Sequence, residues 1–193
     1  LLTNEIIDFV SASDEFVPHF HIPLQSGDDE ILLKMRRKYL SELYADRIAR
    51  IKKRMPNSCI GVDVIVGFPG ETEEHFLNTY NFLNELDISY LHVFPYSERN
   101  NTTAKKMEGK VLKADKMERA KRLRILSEKK KRYFYETQLG KSMQVLWEEE
   151  RQGDNMQGFS ENYVRFEAPY DSTKVNTIEI LNYQKTNLGQ GWV

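Results

Sequence analysis

The sequence predicts an α/β unit built on a parallel sheet, followed by a small all-β module. Three short apolar runs, at residues 17–24, 59–66 and 90–96, each end in a polar or glycine-containing loop, and helical patterns lie between them. This alternation is typical of βα units on a parallel sheet, whose strands are almost continuously apolar because both faces are covered. After Gly140 the apolar residues alternate with polar ones, as they do in antiparallel strands.

Two helices of the α/β unit are defined by their apolar spacing and by their ends. Apolar residues recur at helical spacing over residues 44–55, and Pro56 closes that helix. The same spacing runs through residues 76–83. Thr72 is a suitable N-cap for this second helix, and the acids that follow it favour the positive end of the helix dipole.

A long basic helix is predicted to start at Lys113 and to stop at Gly140, a residue type that commonly ends helices. Its narrow apolar stripe consists of Ala114, Met117, Ala120, Leu123 and Leu126. Residues 105–132 carry 13 Lys and Arg against four acids, a net charge of +9, whereas the rest of the chain has −10. Such a one-sided block indicates an anionic partner more clearly than the overall charge does.

Beyond the basic helix, the sequence predicts a compact β-barrel. Alternating apolar residues mark its strands, and turn residues lie between them. The alternating residues are Met143, Val145 and Trp147, then Val164 with Phe166, and then Ile178 with Ile180. We therefore divide the chain into two domains, residues 1–137 and residues 138–193.

Composition limits the class of protein. The 193 residues are 40% hydrophobic and 30% charged, as in soluble globular proteins, and no apolar run reaches the roughly 18 residues of a membrane span. The start has no signal-peptide pattern; it lacks Met and opens inside an amphipathic pattern of Leu2, Ile6 and Phe9, so we expect a piece of a longer protein. The single Cys59 excludes internal disulfides and fits the cytoplasm.

The chemistry is expected at the carboxyl ends of the three predicted strands, where βα loops converge in parallel sheets. The first strand leads into Gln25 and Ser26, which offer hydrogen-bonding side chains. The second leads into Gly67 and Gly70, which allow close approach of a ligand to the backbone. Any one of these loops fits an ordinary tight turn, but three decorated ends together favour a binding site.

Histidines and arginines offer two further interpretations. His19 and His21 lie on one face of a strand, and Asp63 is a possible third metal ligand; hydrogen-bonded structural histidines are the alternative. Arg36 and Arg37 follow a short helix that leaves the first loop. A charge run of this kind is commonly a solvated face, but an arginine there is well placed to return to a carboxylate or phosphate.

Three long motifs together resemble the radical S-adenosylmethionine (SAM) methylthiotransferases, and most closely their MtaB-type tRNA enzymes. The motifs are HIPLQSGDDEILLKMRRKY, DVIVGFPGETEEHF and LHVFPYSERNNTTA. The all-β tail, with NYVRF, is similar to the TRAM domain of that family, an RNA-binding β-barrel. The resemblance covers essentially the whole chain. It implies the second half of a partial (β/α) TIM-like barrel followed by a TRAM-like barrel.

The resemblance also implies a cofactor site. The strand ending in GFPGE would line a SAM pocket, with Asp63 directed into a polar cavity and Gly67 close to the adenosine moiety. Arg37 would bind the methionine carboxylate, and Phe94 would border the adenine. The implied cofactor-binding residues are Gln25, Ser26, Arg37, Asp63, Gly67, Glu71 and Phe94. For Glu71, the alternative is an acid that stabilises a helix N-terminus.

The family holds its 4Fe–4S cluster through a CxxxCxxC motif in the first half of the barrel, with cysteines for a second cluster in an upstream domain. Cys59 occupies neither motif. We therefore expect these 193 residues to supply one wall of the SAM site and an RNA-binding tail. We also expect them to be inactive alone.

The expected macromolecular partner is tRNA, held by the basic helix and the tail. Lys129, Lys130, Lys131 and Arg132 are the predicted phosphate-binding residues, and the aromatic residues 133–135 follow them directly. By resemblance the modified nucleoside is threonylcarbamoyladenosine near the anticodon; sister families act on isopentenyladenosine or on a ribosomal protein. Two other functions remain open, a metal-dependent barrel hydrolase using His19, His21 and Asp63, and a non-catalytic RNA-binding protein.

Overall fold

A computed structural model describes residues 2–100 and 102–184. It contains one parallel and one antiparallel sheet. The predicted second domain therefore extends beyond the described residues, because residues 185–193 lie outside them.

The parallel sheet has three strands in the order β1–β2–β3. Strand β1 spans His19–Gln25, β2 spans Cys59–Val66 and β3 spans Tyr90–Pro95. These are the three apolar runs that the sequence marks, so the prediction of βα units is confirmed. All three carboxyl ends lie at one edge of the sheet, as parallel pairing requires.

Five helices belong to this sheet. They are α1 (Asn4–Ala12), α2 (Asp29–Lys34), α3 (Ser41–Arg54), α4 (Glu73–Glu85) and α5 (Lys113–Glu136). A short 3₁₀ helix, Thr103–Lys106, lies between β3 and α5. The even-numbered residues of β2 from Ile60 to Val66 are fully buried in the same core as residues of α3, α4 and α5. Thr72 caps α4 through its side chain, as predicted.

Two predicted apolar stripes are wrong at their ends. In α1 the buried residue is Ile7, whereas Ile6 is 45% exposed and Phe9 is 64% exposed. In α5 the stripe is buried from Ala120 onward, but Met117 is 48% exposed. The first turn of α5 extends past the sheet core, so spacing alone overestimated the length of the buried face.

The tail is a four-stranded antiparallel sheet in the order β6–β5–β4–β7. Its strands are β4 (Ser142–Gln152), β5 (Asn155–Ser160), β6 (Arg165–Pro169) and β7 (Ile178–Asn182). Its curled inner face buries Met143, Val145 and Trp147, so the predicted alternation in β4 is confirmed. The described strands form an open, half-barrel sheet.

The predicted inward face of β7 is wrong. Ile178 is 63% exposed and Ile180 is 75% exposed. The neighbouring Glu179 instead accepts a hydrogen bond from Nε1 of the buried Trp147, at 2.7 Å. Because side chains alternate along a strand, this bond turns both isoleucines outward.

The tail packs against the amino-terminal end of the parallel sheet. Cys59, at the start of β2, is buried in the core of the tail. The ring of Tyr163 stacks on His19 with centroids 4.2 Å apart, and Asn162 Nδ2 donates to the carbonyl oxygen of Asn57 at 2.9 Å. In residues 2–100 and 102–184, no helix combines the length and apolarity needed to cross a membrane.

Candidate functional site

The face of the parallel sheet opposite the helices is polar. It carries the odd-numbered side chains of β1 and β2 and the even-numbered side chains of β3, because neighbouring side chains alternate between faces. The chemistry-bearing residues on it are His19, His21, Gln25, Asp63, Tyr90, His92 and Phe94. Several histidines and a carboxylate gathered on one sheet face, in place of apolar side chains, favour a ligand-binding face.

The side chains on this open face form layers across the three strands. In the lowest layer, His19 Nε2 lies 3.0 Å from the hydroxyl of Tyr90. In the middle layer, His21 Nε2 lies 2.7 Å from Asp63 Oδ1, and the ring of His92 stacks on that of His21 with centroids 5.1 Å apart. The carboxylate of Asp63 therefore lies outside the apolar core. The protein thus avoids the free-energy cost of burying this charge without a partner.

Gly61 makes the lowest layer possible. A Cβ atom on Gly61 would lie 2.3 Å from Cζ of Tyr90. The tyrosine ring therefore lies directly over the β2 backbone, where only glycine leaves room. This position lets Tyr90, on β3, reach across β2 to His19, on β1.

A cavity of about 500 Å³ opens at the carboxyl edge of this face. Gln25, Asp63 and Phe94 line it together, one from each strand. Its volume lies within the roughly 300–1,000 Å³ typical of small-molecule sites. Tyr96 and Arg99, from the segment after β3, form its outer wall. The structure thus brings together three of the residues predicted for the site.

The end of β1, where Gln25 lines this cavity, is irregular. Its φ is 77°, in the left-handed region that non-glycine residues rarely adopt, and the strand register shifts between Pro23 and Gln25. Such a conformation costs on the order of 1–3 kcal/mol and is concentrated at binding sites. The irregular residue of β1 is thus one that lines the cavity.

Arg37 lies in an adjoining cavity of about 430 Å³. Lys34 and Arg36 line it as well, so this second cavity is the more basic of the two. The two cavities share Ile65, Tyr96 and Ala104 as walls, and they form one continuous depression along the carboxyl edge.

Ser26 does not face either cavity. It is 1% exposed, and its hydroxyl lies 3.1 Å from Oγ1 of Thr79 on α4. It also accepts a hydrogen bond from the backbone of Asp28. Ser26 therefore lies on the side of the sheet opposite Gln25, and its predicted ligand role stays a prediction.

Gly67 and Glu71 hold the second loop rather than line the cavities. Glu71 Oε1 accepts from the backbone N–H of Gly67 at 2.8 Å and from Arg119 Nη1 at 2.7 Å. Burial raises the pKa of Glu71, while these two hydrogen bonds oppose that shift. A Cβ atom on Gly67 would lie 2.3 Å from Cγ of Lys116. The loop therefore packs against α5, and the approach of a ligand to Gly67 stays a prediction.

Comparison with known proteins identifies relatives of this chain. Residues 1–83 match the family model described as the radical SAM superfamily. The chain is 44% identical over 168 residues to the threonylcarbamoyladenosine tRNA methylthiotransferase MtaB of Bacillus subtilis, covering 85% of this chain and 37% of that protein. The MtaB of Aquifex aeolicus is 41% identical over 163 residues, with 84% and 38% covered.

A third relative carries a different name. The tRNA-2-methylthio-N(6)-dimethylallyladenosine synthase of Lachnoclostridium phytofermentans is 38% identical over 154 residues, which cover 80% of this chain and 34% of that protein. The chain is thus similar to the radical SAM methylthiotransferases. It spans a little over a third of the length of these relatives.

Cys59 is not arranged as a cluster ligand. It is buried, and desolvation raises the pKa of its thiol to about 11, so it is protonated at neutral pH. Cluster ligation requires thiolates, and a 4Fe–4S cluster takes several of them. With one cysteine in its sequence, this chain does not supply such a site.

The histidines predicted as possible metal ligands do not converge. His19 pairs with Tyr90, whereas His21 pairs with Asp63. Within the part of the chain that the structure describes, no group of three or more His, Cys, Asp or Glu side chains has a metal-binding arrangement.

The predicted phosphate-binding residues do not share one surface. Lys129 and Arg132 are exposed, but Lys130 donates to the carbonyl oxygens of Asn84 and Leu86 at the end of α4. Lys131 is half-buried beside the ring of Tyr135, and desolvation lowers its pKa. Lys130 and Lys131 are therefore less accessible than Lys129 and Arg132, and the RNA-binding role of all four stays a prediction.

The outer wall of the cavities was not predicted from the sequence. Tyr96, Arg99, Thr102, Ala104 and Met107 line one cavity or the other. They lie in the irregular segment between β3 and α5. Periodicity gives no information about such a segment. The sequence signal that could have indicated a role in the site is the length of the segment after the end of a strand.

Proposed function

We propose that this chain is part of a radical SAM tRNA methylthiotransferase that adds a methylthio group to threonylcarbamoyladenosine near the tRNA anticodon. The support is the identity of 41–44% to two proteins named for that reaction, over more than four fifths of this chain. The protein would work in the cytoplasm, where its tRNA substrate and reduced thiols are present. Its cofactors would be SAM and 4Fe–4S clusters.

The architecture that goes with this function is a divided barrel and an RNA-binding tail. Residues 1–137 would form the second half of a partial TIM-like barrel, whose inner wall is the open face. Residues 138–193 would form the TRAM-like domain. The boundary falls in the turn after α5, which ends at Glu136.

The residues of the carboxyl edge fit SAM. Asp63 would accept a hydrogen bond from an amino or hydroxyl group, and Gln25 offers both a donor and an acceptor. Phe94, which is 51% exposed, would pack against the adenine ring. Arg37, in the adjoining basic cavity, would bind the carboxylate with its planar guanidinium. SAM supplies the methyl group and the radical chemistry of the family, and these residues bind and orient it.

The tRNA would contact the exposed side of α5. Lys121, Arg124, Lys129 and Arg132 are exposed along this helix, which extends between the cavity edge and the tail. Cations arranged along one helix bind a phosphate backbone and release its counterions. On the same helix, Lys116, Arg119, Arg122 and Lys130 bond to other parts of the protein, so these four exposed cations are the residues proposed for RNA.

The observation that carries this proposal is the cavity that gathers Gln25, Asp63 and Phe94 in a methylthiotransferase relative. The test is nucleoside mass spectrometry of tRNA from a strain lacking the corresponding gene, with and without the intact gene restored. We expect the 2-methylthio form of threonylcarbamoyladenosine to disappear and return. If the 2-methylthio form of dimethylallyladenosine changes instead, the substrate is the one named for the third relative. If neither changes, the proposed reaction is wrong.

A further inference from the structure

The middle layer of the open face contains a polar pair that the cofactor proposal leaves unexplained. His21 and Asp63 are bonded at 2.7 Å, on neighbouring strands. Their side chains are 40% and 22% exposed. Pairs this exposed contribute little to stability, because solvent screens them. The precise arrangement therefore calls for a role other than holding the fold together.

We infer that His21 is a positioning residue, which fixes the carboxylate of Asp63 for the ligand of the adjoining cavity. This inference rests on the proposed function, since it takes SAM as that ligand. Asp63 lines the cavity, whereas His21 approaches it from the middle layer. The ligand would be held by Asp63 directly and by His21 through Asp63.

The carboxylate of Asp63 has one oxygen committed and one available. Oδ1 binds His21, and Oδ2 makes no hydrogen bond to any residue in the described part of the chain. A carboxylate rotates easily about its last torsion unless one oxygen is held. Holding Oδ1 from β1 therefore fixes the direction in which Oδ2 accepts an N–H or O–H donor from a ligand.

The imidazole of His21 is itself held in place. Its ring is nearly parallel to that of His92, at an interplanar angle of 11°, and His92 contacts Tyr90 edge to face. The imidazole of His21 is thus held by packed aromatic rings. A preorganised site requires such support of its side chains.

Substitutions of His21 distinguish a positioning role from a packing role. The side-chain nitrogen of glutamine occupies a place close to that of imidazole Nε2, so His21→Gln keeps the donor to Asp63. His21→Leu removes the donor and keeps an apolar body over the sheet. His19→Leu is the matched control, because His19 is on the same strand and face but bonds Tyr90 instead of Asp63.

The experiment is calorimetric titration of SAM into the full-length protein that contains this chain, with its clusters left oxidised. We expect His21→Leu to weaken binding about tenfold or more, because small misplacements of a binding group are costly. We expect His21→Gln and His19→Leu to bind as the wild type does. The double variant His21→Leu, Asp63→Ala should bind no more weakly than Asp63→Ala, since His21 acts only through Asp63.

Three results overturn the inference. They are normal affinity in His21→Leu, failure of His21→Gln to restore affinity, and additive losses in the double variant. If Asp63→Ala weakens binding while His21→Leu does not, the cofactor site stands and the positioning role is wrong. If Asp63→Ala itself binds normally, the cavity assignment in the proposed function is wrong, and the inference is wrong with it.

Discussion

Single residues decide the shape of the carboxyl edge. Gln25 adopts a left-handed backbone conformation and lines the cavity, whereas the adjacent Ser26 is buried against α4. Glu71 joins the loop that begins at Gly67 to Arg119 on α5. The side chains of Glu71 and Arg119 are 3% and 8% exposed, so each buried charge is compensated by the other. Removing one partner of such a buried pair leaves the other charge without compensation.

Glu71→Ala is therefore expected to destabilise the protein by about 3–5 kcal/mol. Urea denaturation followed by circular dichroism measures this change. Glu73→Ala is the control, because Glu73 is 55% exposed in its contacts with Arg122 and Arg119, and its removal leaves Arg119 paired with Glu71. The control should lose no more than about 1 kcal/mol. Equal losses in the two variants would contradict the buried-pair interpretation.

The buried thiol of Cys59 gives a second test at this scale. Its pKa of about 11 lies above that of an ordinary thiol, so the reactive thiolate is scarce in the folded protein at pH 8. We expect iodoacetamide to modify Cys59 slowly in native buffer and rapidly in urea, as followed by mass spectrometry. The rate should rise as the pH approaches 11. Rapid modification of the native protein at pH 8 would place Cys59 outside the core of the tail.

At the scale of elements, α5 serves both structure and surface. Its buried side carries Ser127, whose hydroxyl accepts from the backbone N–H of Leu91 on β3 at 2.8 Å. Arg119 and Lys130 on the same helix bond to the α4 region. Lys129 and Arg132 lie on its exposed side. A charge count along the sequence does not separate these two groups of cations.

Two sets of substitutions distinguish the exposed cations of α5 from those that bond to the α4 region. Lys129→Glu with Arg132→Glu should weaken tRNA binding and reduce its salt dependence by about one unit for each phosphate that the protein no longer neutralises. Stability should stay close to that of the wild type, since both side chains are exposed. Filter binding of the full-length protein at several salt concentrations gives both the affinity and the slope.

Lys130→Ala is the matched comparison on the same helix. Lys130 satisfies two carbonyl oxygens at the end of α4, so its removal should cost about 1–2 kcal/mol of stability. The substitution should leave the salt dependence of tRNA binding unchanged. An unchanged affinity in the Lys129, Arg132 double variant would remove the exposed side of α5 from the RNA surface.

At the scale of the whole molecule, the tail and the parallel sheet share a core. Cys59 belongs to the strand that carries Asp63, yet it is packed with Trp147 and Met156 of the tail. Tyr163, with a φ of 67°, stacks on His19 at the lower end of the open face. The tail therefore closes the amino-terminal end of this face and leaves the carboxyl end accessible.

A prediction about metal content belongs to this scale. The polypeptide of these 193 residues has one cysteine, and that cysteine lies in the shared core. Anaerobic reconstitution with iron and sulfide should give no cluster absorbance above that of a Cys59→Ala variant, because a 4Fe–4S cluster needs several thiolates. A cluster signal present in the wild-type polypeptide and absent from the variant would contradict this expectation.

The sequence by itself determined the features that depend on local pattern. Period and turn chemistry act within a few residues, so they located the three parallel strands, the Thr72 cap, the length of α5 and the alternation in β4. Motif order also pointed to the family. The sequence also indicates that Asp63 lies on the face of β2 opposite Val62 and Val64, because side chains alternate along a strand and these two valines are buried.

Only the tertiary structure decided which side chains meet. Asp63 bonds His21, Glu71 bonds Arg119, and the hydroxyl of Ser26 lies against Thr79 on α4. Partners such as Glu71 and Arg119 are 48 positions apart in the chain. No local pattern encodes such a pairing, because it depends on how strands align and how helices pack over them. The fold followed from short-range pattern, whereas the site followed from long-range contact.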